Sequence, residues 1–87
     1  MPTVWIPPLL RDLTGGVESV NVPGSTVRQL IERLDQQHAG LRNRLCEGEG
    51  LRPGMVVVVD GDVSPLGLLQ AVRTDSEVHF LPAIGGG

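Results

Sequence analysis

Along this 87-residue chain the apolar positions change period several times, and each change marks an element. Thr3-Val4-Trp5-Ile6 alternates and is rich in strand formers, which predicts a first strand; Pro7-Pro8 removes two ladder donors and ends it. Leu9, Leu10 and Leu13 lead into Thr14-Gly15-Gly16, a turn, and Val17 to Val22 then resumes strand alternation with Val20 and Val22 on one face. The two segments predict a β-hairpin with a long connection.

Pro23-Gly24 breaks the second strand. Thr26 with Gln29 three residues on fits a capping box, in which hydroxyl and amide each satisfy a free backbone N–H, so a helix is predicted to start there. Val27, Leu30, Ile31 and Leu34 recur at i, i+3, i+4 and i+7 as one apolar stripe, with Arg28, Glu32, Arg33, Asp35 and Gln36 on the other face and Gly40 as the expected stop. Such a helix is an amphipathic lid for a sheet. Leu41 to Cys46 suits a short helical turn with Leu41 and Leu45 inward, and Gly48-Glu49-Gly50 with Pro53-Gly54 predict an irregular connection.

Met55-Val56-Val57-Val58-Val59 is apolar throughout, as expected of a strand covered on both faces or paired centrally, and Asp60-Gly61 turns it. Val63 to Val72 is expected to be a short strand and loop in which Leu66, Leu68 and Leu69 need burial. After the polar turn Thr74-Asp75-Ser76 comes a last strand, Glu77 to Leu81, with Val78 and Phe80 on one face and His79 and Leu81 on the other. Strand, strand, helix, strand, short strand, strand is an α+β order. It suits a mixed sheet of four to five strands with one main helix packed across one face, the β-grasp (ubiquitin-like) arrangement, over residues 1–82. Residues 83–87 are expected to form a flexible C-terminal glycine tail.

Composition narrows the function. A domain this small buries only roughly 60–65% of its unfolded surface, which argues against a deep internal active site. The net charge is −3 and the seven basic residues, all arginine, are spread singly along the sequence, so the footprint of a nucleic-acid binder is missing. Cys46 is the single cysteine, which excludes an internal disulfide and a cysteine-ligated metal cluster made by this chain alone. No window approaches the ~20 apolar residues of a membrane span and the start lacks a signal-peptide pattern, so a cytoplasmic protein with no membrane partner is expected.

Enzyme templates fail in turn. Gly15-Gly16 leads into a strand and lacks the Lys-Ser/Thr of a phosphate loop; His38 and His79 have no metal-ligand spacing to each other or to Cys46; no Ser-His-Asp set is indicated. No metal and no cofactor are therefore expected. His38 reads as a solvated or capping side chain, His79 as an outer-face residue open to partner contact, and Cys46 as a small packing residue. Asp60 and Asp62 could hold a cation, but two acids in a turn are ordinarily only solvated.

The chain ends Gly85-Gly86-Gly87. Three residues without a Cβ form a thin thread that can enter a channel closed to any side chain, and the Gly87 α-carboxylate is the one group deliverable at a distance from the folded body. A carboxylate is a poor electrophile until made into a mixed anhydride, most simply with AMP from ATP. Attack by a persulfide sulfur then leads to a thiocarboxylate, attack by a lysine amine to an isopeptide. On the tail alone an idle chain end competes with this use.

Four segments in order, IPPLLRDLTGG (Ile6 to Gly16), GSTVRQLIERL (Gly24 to Leu34), VVVVDGD (Val56 to Asp62) and SEVHFLPAIGGG (Ser76 to Gly87), together resemble the ubiquitin-like sulfur-carrier proteins of the MoaD/ThiS group over nearly the whole chain. The first segment looks most like the CysO-type cysteine-synthesis carriers. The resemblance implies that Gly86-Gly87 is the family diglycine and that Gly87 is adenylated by an E1-like enzyme of the MoeB/ThiF type. The adenylate would then become a thiocarboxylate, whose sulfur goes to a downstream acceptor enzyme. That acceptor would be cysteine synthase-like or a molybdopterin synthase large subunit. It also implies an exposed apolar docking patch containing Leu81, with Ile84 and His79 as further partner-binding residues. The chain would be a protein cosubstrate rather than an enzyme. The family's common Val-Asn-Gly turn stands here as Val59-Asp60-Gly61, Thr74-Asp75-Ser76 replaces its Asp-Gly-Asp, and Gly85 is an extra glycine. Competing expectations are the small subunit of molybdopterin synthase, a ubiquitin-like modifier attached to lysines of other proteins, and an interaction module with an idle tail. Without lysine of its own the chain could not form lysine-linked polymers.

Overall fold

The computed structural model describes residues 1–82; the glycine tail expected over 83–87 lies outside the described residues. The elements are β1 (Thr3–Trp5), β2 (Ser19–Asn21), α1 (Val27–Gln37), α2 (Leu41–Leu45), β3 (Cys46–Glu47), β4 (Gly50–Leu51), β5 (Met55–Val59), β6 (Asp62–Val63) and β7 (Glu77–Pro82). Among the described residues there are also two 3-10 turns, Pro8–Thr14 and Gly67–Leu69. The main sheet runs β2-β1-β7-β5-β6, with β1 and β7 parallel in the middle and every other pair antiparallel. This is the expected mixed sheet in the β-grasp order.

Helix α1 starts where the capping box puts it: the Gln29 N–H donates to Thr26 Oγ1 at 3.3 Å, and Gln29 Oε1 accepts the Ser25 N–H at 2.8 Å. Its stripe of Val27, Leu30, Ile31 and Leu34 is fully buried against Val4, Ile6, Val57, Val78 and Phe80 on one sheet face. Each such side chain stabilises the fold by about 1.5–3 kcal/mol relative to exposure.

Several expectations are corrected. Gly40 does not end α1; His38 does, its N–H donating to the Leu34 carbonyl, and Gly40 with φ +102° instead opens α2. The reversal brings Asp35 of α1 within reach of α2, where its Oδ1 accepts the Gly40 and Arg42 N–H groups, both at 3.1 Å. The irregular connection contains the small hairpin β3–β4. The long connection after β1 is helical, because Pro7 and Pro8 preset a first turn and Leu10 packs inward while Leu9 stays outside. Strand β5 is paired on both sides, but only Val57 is fully buried; Val56 and Val58 lie half-buried on the outer face. Of Leu66, Leu68 and Leu69 only Leu68 is buried, since a single 3-10 turn directs one of the three inward.

Candidate functional site: the outer face and end of strand β7

Six residues of β7 carry both the core and the candidate site. Val78 and Phe80 are buried under α1, while His79 and Leu81 project from the opposite face, as the period-two pattern predicts. Register adds what alternation alone could not. Trp5 pairs with His79, His79 with Val58, and Val58 with Val63, so one row crosses four strands on the outer face; Val56 stands opposite Leu81 beside it. Leu81 is 46% exposed and Val63 62%. An open apolar surface of this kind on a small domain suits transient docking of another protein.

Trp5 and His79 stack with ring centroids 5.6 Å apart and planes within 3°. The Trp5 Nε1–H donates to Glu77 Oε1 at 3.1 Å, which fixes the indole and with it the imidazole face. Trp5, Val56 and Val58 were missed as site residues. Trp5 could have been placed on the outer face by alternation from Val4, but its meeting with His79 depends on the parallel pairing of chain segments far apart in sequence.

The start of β7 is tied to the turn after β5. Asp60 adopts φ +51°, and its Oδ1 accepts the Glu77 N–H while its Oδ2 accepts the Ser76 hydroxyl, both at 2.9 Å. These bonds, the Glu77 N–H first and Ser76 second, hold the Asp60 carboxyl below the usual carboxylate range; Arg73 adds to the effect and slight desolvation opposes it. The Asp60 oxygens are thus engaged in positioning β7. Among the described residues no group of three or more His, Cys, Asp or Glu is placed to hold a metal ion.

Cys46 is buried, and burial pushes its thiol up while Arg42 and Arg52 pull weakly the other way. It is a packing residue, as expected. His38 caps α1 through its backbone N–H. His79 and Leu81 share the outer face; Ile84, Gly85, Gly86 and Gly87 lie outside the described residues. Among the described residues no helix is long and apolar enough to cross a membrane.

A β-grasp domain whose middle strand bears an open outer face defines the ubiquitin-like class. The ThiS family profile matches residues 4–87. The sulfur carrier protein CysO of Mycobacterium tuberculosis is 37% identical over 90 residues, covering 98% of this chain and 97% of that protein. Among solved structures, the Amycolatopsis orientalis BexX/CysO complex contains a chain superposing with a TM-score of 0.91 at 36% identity, with all of both chains covered. The crystal structure of M. tuberculosis CysO gives 0.87 at 30% identity, covering 97% of this chain and all of that one. The chain belongs to the ThiS family, the ubiquitin-like sulfur-carrier family that its sequence resembles. Membership places it among non-catalytic protein carriers.

Proposed function

We propose that the protein is a CysO-like sulfur carrier whose Gly87 α-carboxylate is adenylated by an E1-like enzyme and converted to a thiocarboxylate for cysteine biosynthesis. The observation that carries this is likeness to CysO along 98% of the chain, with the family match running to residue 87 itself. In the first step a carboxylate oxygen attacks the α-phosphorus of ATP, and pyrophosphate leaves. In the second, a donor's sulfur attacks the acyl carbon, the acyl–oxygen bond breaks and AMP departs. Hydrosulfide gives the thiocarboxylate directly. A persulfide gives an acyl disulfide, which a thiol then cleaves, releasing the thiocarboxylate and leaving the thiol as a disulfide.

The chain's own contribution is presentation. Strand β7, held between β1 and β5 and anchored at its start by Asp60, is the element that immediately precedes residues 83–87 in the sequence. The outer face with Leu81, His79 and Trp5 provides the docking surface for the activating enzyme. The acceptor is proposed to be a cysteine synthase-like enzyme, in keeping with the CysO likeness. The test is intact mass after incubation with ATP, a purified E1-like enzyme and a sulfur donor. One oxygen-for-sulfur exchange, localised to Gly87, is expected. Lysines of other proteins carrying the Thr74 to Gly87 remnant that trypsin leaves, without any thiocarboxylate, would instead establish a modifier.

A further inference from the structure

At the end of β7, on the helix side of the sheet, a cleft of about 290 Å3 opens between the Pro8–Thr14 turn, α2 and the segment entering β5. Leu9, Arg44, Arg52, Met55, Phe80 and Pro82 line it. It lies on the other side of β7 from Leu81 and His79, because Phe80 and Pro82 alternate with them. Leu9 is 87% exposed, held outward by a proline-started turn that buries its neighbour Leu10.

Both charged residues of the lining are arginine, in a chain whose net charge is −3. Arg52 is fixed in place: its Nε and Nη2 donate to the Asn43 carbonyl at 3.0 and 2.8 Å, and its Nη1 lies 3.8 Å from Glu47. Arg44 makes no ion pair among the described residues. The volume stands at the floor of the range for small-molecule sites, roughly 300 Å3, and fits a protein side chain better than a metabolite.

Resting on the carrier function proposed above, we infer that this cleft is a second docking point for the adenylating enzyme, which places there an apolar side chain flanked by a carboxylate. Position and charge select that occupant. Pro82 is both a wall of the cleft and the last residue before the tail, so an enzyme that takes Gly87 into its active site comes against this end of the fold. The apolar floor accepts a leucine- or phenylalanine-sized side chain, and the arginines select an acidic neighbour. Contact on both faces of β7 would hold the Pro82 end of the strand against the enzyme from two sides.

The test is ATP–pyrophosphate exchange with a purified E1-like enzyme, measuring KM and kcat for the full-length carrier. Leu9→Ser and Arg44→Glu, at exposed positions that leave the core intact, are each expected to raise KM about tenfold, while kcat changes by less than about twofold. Arg44→Lys should restore KM, and added salt should raise KM for the wild type more than for Arg44→Glu. KM values within about twofold of wild type for both variants would overturn the inference and leave the carrier function standing. Absence of exchange with the wild type would overturn both. Shifts of the Leu9 and Met55 methyl resonances on truncation after Pro82 would assign the cleft to the chain's own tail, and concentration-dependent shifts would assign it to a second copy; either result overturns the inference.

Discussion

Replacing Ser76 by alanine removes the hydroxyl that joins the Asp60 turn to the start of β7. Ser76 is 1% exposed; its Oγ donates to Asp60 Oδ2 at 2.9 Å and accepts the Arg73 N–H at 2.8 Å. The substitution leaves the Arg73 N–H without its acceptor, and losing a buried hydroxyl with that role costs about 1–2 kcal/mol. For a domain of this size that corresponds to a melting shift of roughly 4–16 °C. Asp60 faces solvent and is rehydrated, so it supplies a direction rather than a magnitude. Its folded-state carboxyl is held low, so the ionised form favours the fold. That contribution is fully present above the unfolded value of about 3.9 and is lost as pH falls through the lower folded value. Without Ser76 the folded value rises toward the ordinary one but does not reach it, because the Glu77 N–H remains. Urea melts of wild type and Ser76→Ala, stepped from neutral pH into acid, should therefore show a gap that narrows in acid to its pH-independent part. A gap that stays constant or widens would refute the charge-assisted bond. With Asp60→Asn as background, the pH-dependent part should vanish.

Deleting Gly87, or adding one alanine after it, should abolish the oxygen-for-sulfur exchange seen by intact mass and leave the melting temperature unchanged. Leu34→Ala empties a fully buried position under the sheet and should cost about 2–5 kcal/mol in a denaturant melt. Because burial raises the Cys46 thiol above its ordinary range, alkylation of the native protein at mildly alkaline pH should be far slower than of the urea-unfolded chain; equal rates would show an accessible thiol.

Where local chemistry decides, the sequence is a sufficient guide. The Thr26 capping box, the α1 stripe, the inward pair Leu41 and Leu45, and the two faces of β7 all follow from spacings of a few residues. Features that depend on distant partners were not legible. Asp60 looks like a solvated turn acid until Ser76 and Glu77, 16 and 17 residues later, arrive beside it. Trp5 and His79 meet only because β1 and β7 run parallel. The β3–β4 hairpin has two residues per strand, too few to display a period, with Gly48 at φ +62° as its one local mark. Seven arginines spread singly in sequence gave no hint that Arg44 and Arg52 would share a cleft with Pro82. The run of apolar residues in β5 reported pairing correctly, but the residues on its outer face lie half-buried instead of under a second core.

Phe80 and Leu81 give the sharpest test of this division of labour. They are adjacent in sequence and similar in hydrophobicity, yet alternation sends one into the core at 2% exposure and leaves the other 46% exposed. Phe80→Ala should cost about 3–5 kcal/mol by denaturant melting, because α1 and the sheet cannot close over the space left. Leu81→Ser should stay within about 0.5 kcal/mol of wild type, as surface substitutions do, while weakening binding to the activating enzyme about tenfold. Isothermal titration with that enzyme, beside melts of both variants, separates the two effects. Unchanged affinity in Leu81→Ser would remove the outer face from the docking surface; a stability loss matching that of Phe80→Ala would mean that the face is core after all. With the expected outcome, one strand serves two independent constraints. Odd positions face the partner and even positions face the helix, so docking specificity can change without unfolding the domain that holds the tail.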